Sequence, residues 1–173
     1  MAQSNLNNKR ILAVDDEPDV LETLKEQLED FDGLVFDTAQ DYETGYHLLR
    51  SWTYDVVVLD IMGVRGFDLL NAACALGYPA VMLTAHAMTP ESLKKSIELG
   101  ARAFIPKEKM PEIAQFLEDV LTLSHHHAWR KVFDRLGAFF NKAFGPGWQK
   151  SEKAFWDDVI SGKEMSEPAI LKE

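Results

Sequence analysis

Val56-Val57-Val58-Leu59-Asp60 is a run of four apolar residues, three of them β-branched, closed by a carboxylate. Such a run predicts a strand buried on both faces. In an open α/β sheet, ligands sit beyond the carboxyl ends of the strands, which is where Asp60 falls. Ile11-Leu12-Ala13-Val14 followed by Asp15-Asp16 has the same grammar. If these two strands are neighbours, three carboxylates converge at one sheet edge. They repel one another unless a cation compensates them, and an all-oxygen, highly charged donor set suits Mg²⁺.

The rest of the chain extends this pattern. Pro18 opens a helix whose stripe is Val20, Leu21, Leu24 and Leu28. A strand at 34–38 follows, and Asp41 is placed to cap a helix carrying Tyr42, Tyr46, Leu48 and Leu49. A loop containing Gly63 and Gly66 leads into a helix through Phe67, Leu69, Leu70 and Ala73. Strand four is 80–83, ending at Thr84. Thr89-Pro90 caps the next helix, and strand five at 103–105 precedes Lys107, with a further helix from about Pro111. Five strand–helix alternations with short connections predict a doubly wound parallel α/β sheet.

The 173 residues allow one domain with an appendage. Net charge is −10; through Leu123 there are 10 Lys and Arg against 21 Asp and Glu, and after it 8 against 7. An acidic body disfavours DNA and anionic membranes as partners. Cys74 is the sole cysteine, which excludes an internal disulfide and fits a reducing cytoplasm. No apolar run is long enough to span a bilayer. The expected organisation is a loose start at 1–8, a globular domain at 9–123, a helical extension at 124–160 and a loose tail at 161–173.

Asp15-Asp16, Asp60, Thr84 and Lys107 each fall just after a strand. Together they suit phosphoryl chemistry. A carboxylate can attack phosphorus and carry an acyl phosphate. A cation on the other carboxylates would neutralise the phosphoryl oxygens, and a hydroxyl and an ammonium would hold what remains. Any one of these residues alone has a bland reading as a cap or a structural polar group; the ordered set does not.

Val14-Asp15-Asp16-Glu17-Pro18, Leu59-Asp60-Ile61-Met62, Leu83-Thr84-Ala85 and the run Gly100-Ala101-Arg102-Ala103-Phe104-Ile105-Pro106-Lys107 resemble the receiver domains of bacterial two-component response regulators. The resemblance covers roughly 9–123. It implies a five-stranded flavodoxin-like sheet of order 2-1-3-4-5 and a phosphoacceptor at Asp60. It also implies Mg²⁺ held by Asp16, Asp60 and the Met62 backbone carbonyl, with Asp15 reaching it through water. Thr84 and Lys107 would contact the phosphoryl group, Phe104 would be the switching aromatic, and a sensor histidine kinase or phosphotransfer protein would be the donor. Two departures stand out: the loop after Asp60 is short and lacks proline, and proline precedes Lys107 instead of following it.

Beyond 123, Trp129, Val132, Phe133, Leu136, Phe139, Phe140 and Phe144 recur at helical steps until Gly145-Pro146-Gly147, and a second helical piece carries Trp148, Phe155, Trp156, Val159 and Ile160. These aromatics need cover, either by folding back on the domain or by pairing in a homodimer through the C-terminal helix. His125-His126-His127 cannot share one ion on a helix, where successive residues point about 100° apart, so they read as solvated or packing groups. Cys74 reads as a small core residue, and His86 as a loop histidine near the acceptor. The functional expectation is a cytoplasmic phosphoacceptor signalling to a protein partner or through its tail. The competitors are an interaction module without phosphorylation and an aspartate-nucleophile phosphatase; the latter usually needs a second acid where Met62 stands.

Overall fold

The computed structural model describes residues 4–86 and 88–161. Strands β1 (Arg10–Val14), β2 (Val35–Ala39), β3 (Val56–Leu59), β4 (Ala80–Thr84) and β5 (Ala103–Pro106) form one sheet in the order 2-1-3-4-5. All four pairings are parallel. Helices α1 (Pro18–Leu28), α2 (Tyr42–Ser51), α3 (Gly66–Ala75), α4 (Pro90–Glu98) and α5 (Ile113–Thr122) connect and cover it. The doubly wound fold is therefore the one the sequence predicts. β3 and β4 are buried throughout because helices cover both faces, which is why they read as unbroken apolar runs. β2 is an edge strand and half exposed.

Local signals also set the helix starts. The Asp41 carboxylate accepts the Thr44 amide at 2.7 Å, and Thr89 Oγ1 accepts the Ser92 amide at 3.1 Å. Each satisfies a donor that the first helical turn leaves unpaired. Cys74 is buried in α3.

The expected loose start is corrected over residues 4–8. Leu6 is fully buried, the Asn8 amide donates to the Asp32 carbonyl at 2.8 Å, and the Asn7 side chain accepts the Asp32 amide. One apolar anchor, the Asn8 backbone amide and the Asn7 side chain tie this polar segment to Asp32 in the α1–β2 turn. The expected tail at 161–173 lies outside the described residues except for Ser161.

A 3-10 segment (Lys107–Glu112) precedes α5, and Leu123 and Ser124 are extended, so the chain turns before α6 (His125–Phe144) and α7 (Lys153–Ser161). α6 lies back against α5 and β5. Trp129 Nε1 donates to the Ala101 carbonyl at 2.8 Å, and His125 Nε2, itself buried, lies 3.2 Å from the same oxygen. Arg135 reaches Asp119 at 3.0 Å and Gln115 at 2.9 Å on α5. Lys94 on α4 pairs with Glu152 before α7.

Between these anchors, Phe104, Phe133, Phe140, Phe144, Trp148 and Trp156 pack ring to ring. Trp148 stands in the turn between α6 and α7, not in the second helix as its spacing suggests. The aromatic stripe that called for cover finds it within its own chain.

Candidate functional site

Strand ends bring the predicted polar residues to one edge. Asp15 and Asp16 follow β1, Asp60 follows β3, Thr84 ends β4, and Lys107 follows β5. Carboxylate oxygens of Asp15, Asp16 and Asp60 lie within 4.8 Å of one another. Asp15 and Asp60 are buried and Asp16 is exposed, so the cluster opens to solvent on one side. Lys107 Nζ stands 2.9 Å from Asp15 Oδ2, 2.9 Å from Glu17 Oε1 and 3.5 Å from Asp60 Oδ1. Thr84 is fully buried. The Met62 side chain is exposed in the loop after β3. Phe104 is fully buried, its ring against Phe140 at 6.1 Å.

Burial pushes the Asp60 carboxyl up to about 6, with Asp15 and Asp16 adding to the rise and Lys107 opposing it. Burial also raises Asp15, against Lys107 and the Glu17 amide, which donates to Asp15 Oδ1 at 2.8 Å. Burial works against the Lys107 charge, but Asp15 and Glu17 outweigh it and hold the ammonium above the ordinary lysine range. Lys107 in turn lowers Glu17. One ammonium thus faces several carboxylates. Asp15 Oδ2, although close to Lys107, is buried without an aligned hydrogen bond. An oxygen-only cluster with surplus negative charge fits a hard divalent cation such as Mg²⁺.

Two parts of the site carry no sequence signal strong enough to find them. Glu17 sits within the quoted acidic run, yet only the fold shows it bridging Lys107 and, at 4.0 Å, His86. The loop glycines are the other part. Gly63 has φ +86, and a Cβ there would meet Asp16 Oδ2 at 2.4 Å. A Cβ on Gly66 would meet the Asp60 backbone oxygen at 2.0 Å. The short loop without proline therefore folds tightly enough to bring its backbone onto the two acids. Gly66→Ala is expected to cost about 3 kcal/mol, at the upper end of ordinary overpacking because the obstacle is backbone. Urea unfolding measures this; an unchanged midpoint would contradict the close approach.

The raised Asp60 also sets a pH dependence. Its folded pKa lies above the unfolded value of 3.8, so the unfolded state gives up the proton first. Without a cation, stability is greatest below about pH 4 as far as this group is concerned, and falls as pH rises towards about 6. The fall is on the order of 3 kcal/mol. Asp15 acts in the same direction. Glu17 acts in the opposite one, but it is half exposed and its effect is screened. Millimolar Mg²⁺ is expected to restore the lost stability above pH 6, by ~2.7 kcal/mol at a hundredfold excess over its dissociation constant. Melting curves at pH 4 and 7, with EDTA or Mg²⁺, check this; a transition indifferent to Mg²⁺ at pH 7 would reject the site.

The family described as response regulator receiver domain matches residues 11–118, ending before α6. The transcriptional regulatory protein CusR of Escherichia coli K12 is 36% identical over 102 residues, 57% of this chain and 44% of CusR. The probable transcriptional regulatory protein SilR of Salmonella typhimurium is 38% identical over 102 residues, with the same shares. The aligned part spans less than half the length of either relative. Among solved structures, a CheY-like receiver domain protein from Methanospirillum hungatei JF-1 superposes with a TM-score of 0.54 at 25% identity, over 65% of this chain and 95% of that one. A LuxR-family two-component response regulator from Aurantimonas gives 0.58 at 28%, over 65% and 84%.

Proposed function

The chain belongs to the response regulator receiver domain family, and from that premise we propose that it is a phosphorylation-activated response regulator with Asp60 as phosphoacceptor. The observation that carries this reading is the cluster of Asp15, Asp16 and Asp60 at adjoining strand ends, faced by Lys107. A carboxylate oxygen of Asp60 attacks the donor phosphorus, the bond from phosphorus to the donor breaks, and the leaving group keeps that electron pair. The donor is a sensor histidine kinase or a phosphotransfer protein, and the compartment is the cytoplasm.

Asp16, Asp60 and the Met62 carbonyl would hold Mg²⁺, with Asp15 beside them. Bound there, the cation would offset charge on the transferring oxygens. Lys107, 3.5 Å from Asp60 now, swings from its carboxylate partners to a phosphoryl oxygen. Thr84, at the end of β4, supplies a hydroxyl to another. Phe104, on β5, passes the change to the surface of α4 and β5.

Output goes to a protein partner or through α6–α7, not directly to DNA. CusR and SilR are named as transcriptional regulators, but they align only as far as the receiver part. Among the described residues no helix is long and apolar enough to cross a membrane. We read the extension as a folded-back hairpin, because no large apolar side chain of α6 or α7 stands exposed.

The test is incubation of the full chain with acetyl phosphate and Mg²⁺. One hydroxylamine-labile phosphoryl group on Asp60, absent with EDTA, is the expected result. A chain that stays unlabelled while folded would leave an interaction module; steady turnover of a phosphoester would point to a phosphatase.

A further inference from the structure

We propose that Arg65 is a positioning residue for the cation site: its guanidinium, stacked on Tyr42 and paired with Asp68, holds the loop after β3, and with it the Met62 carbonyl, in the conformation that would serve Mg²⁺. This rests on the reading of the acidic cluster as a Mg²⁺ site.

The loop is constrained by its own backbone. Residues 61–65 carry the chain from Asp60 to α3, and the Gly66 amide closes the loop by donating to the Ile61 carbonyl at 3.0 Å. Two of those five residues are left-handed, Gly63 at φ +86 and Arg65 at φ +54. Glycine enters that region freely; a residue with a Cβ does not. Among the described residues only Asn8, Arg65 and Glu152 combine a positive φ with a side chain, and only Arg65 of these stands in the pocket loop. Such a conformation persists where the surroundings over-determine it. Arg65 also occupies the N-cap position of α3, where extended backbone and a capping side-chain oxygen are usual, and it has neither. The helix start therefore does not account for an arginine there.

The side chain supplies a hold on the loop. Its guanidinium lies 4.0 Å from the centre of the Tyr42 ring, and Nε donates to Asp68 Oδ2 at 2.9 Å. Exposed ion pairs add little to stability, and this pair is more than half exposed. Its effect is geometric, because a planar ion with a ring on its face and a carboxylate at its edge has a defined orientation. Tyr42 is a firm post. It opens α2, and three residues on, a Cβ on Gly45 would meet a Val14 methyl at 3.1 Å. Val14 directly precedes Asp15 and Asp16. On the loop side, Val64 is fully buried, and Gly63 and Gly66 lie against Asp16 and Asp60. The contact thus ties the loop after β3 to a helix packed on β1, and these are the two strands whose ends carry the acids.

A cation needs all its ligands at once. A loop that spends only a fraction of its time in the competent conformation weakens binding by that fraction. Arg65→Gly keeps the left-handed backbone without strain and removes the hold. Tyr42→Leu removes the ring, and Tyr42→Phe keeps it.

The experiment is calorimetric titration of the full chain with Mg²⁺, with melting of the same variants in EDTA. The dissociation constant is expected to rise about tenfold in Arg65→Gly and Tyr42→Leu, as for a competent fraction reduced to roughly a tenth. It is expected to stay at the parent value in Tyr42→Phe, and the EDTA melting temperature of Arg65→Gly is expected to stay close to the parent's. Should Tyr42→Leu fail to fold, Asp68→Ala releases the guanidinium from its other side. Parent-like Mg²⁺ binding in Arg65→Gly overturns the positioning role and leaves the cation site standing. A rise in Tyr42→Phe equal to that in Tyr42→Leu overturns the stacking on which the role depends. A folded parent chain that binds no Mg²⁺ overturns the cation site and the proposal together.

Discussion

Asp60→Asn is expected to abolish acyl-phosphate formation while leaving the fold intact and, without Mg²⁺, more stable. The amide that replaces the carboxylate is not a competent nucleophile towards phosphorus, and Asp15, which also faces Lys107, is held by that ammonium at 2.9 Å and by the Glu17 amide at 2.8 Å. Asparagine is isosteric, so β3 keeps its buried Val56–Leu59 packing. The gain in stability comes from the charge. Burial and the neighbouring acids already push the Asp60 carboxyl to about 6. Removing that charge at neutral pH relieves a penalty of burial and, secondarily, of repulsion by Asp15 and Asp16, on the order of 3 kcal/mol. Hydroxylamine-sensitive labelling and melting in EDTA give the two readouts. Normal labelling of the variant, or a label moved to Asp16 at full rate, would refute the assignment.

Most of this site is legible because its residues occupy positions that the hydrophobic pattern itself marks. A strand buried on both faces reads as an apolar run, and the first polar residue after it lies at the sheet edge. That logic finds Asp15, Asp16, Asp60, Thr84 and Lys107 without knowledge of register. Caps at Asp41 and Thr89 are local chemistry and equally readable.

What escapes is non-local. The role of Glu17 depends on where β5 ends, because its partner Lys107 is 90 residues away. Gly66 looks like an ordinary loop glycine until the Asp60 carbonyl is placed against it. Leu6 is a lone apolar residue in a polar segment, with no periodicity to announce its burial. Trp148 joins the helical stripe by spacing alone, yet it packs from a turn, because a large ring reaches the same cluster from either backbone. The stripe on α6 shows that a face must be covered. It does not show which surface covers it, and here that surface is β5 with its flanking helices.

That last point reverses the sign of a truncation experiment. If the stripe made a dimer, cutting the chain after Leu123 would remove self-association. With the stripe folded back, the cut uncovers the receiver instead. Phe104 loses the Phe140 ring, Phe116 loses the Arg135 guanidinium 5.8 Å above it, and the Ala101 carbonyl loses its Trp129 donor. Each large side chain returned to water costs ~1.5–3 kcal/mol, and an orphaned carbonyl costs about 1–3 kcal/mol where water reaches it poorly. Losing several of these at once takes much of a typical domain's margin of roughly 5–15 kcal/mol. Contiguous apolar surface exposed beside an edge strand also favours association. The full chain is therefore expected to be monomeric, and the piece ending at Leu123 less stable by several kcal/mol and prone to self-associate. Light scattering across a concentration series and urea unfolding of both proteins decide the matter. A full chain that dimerises, with a truncated piece that is monomeric and equally stable, would show that the hairpin serves a second copy and not its own receiver.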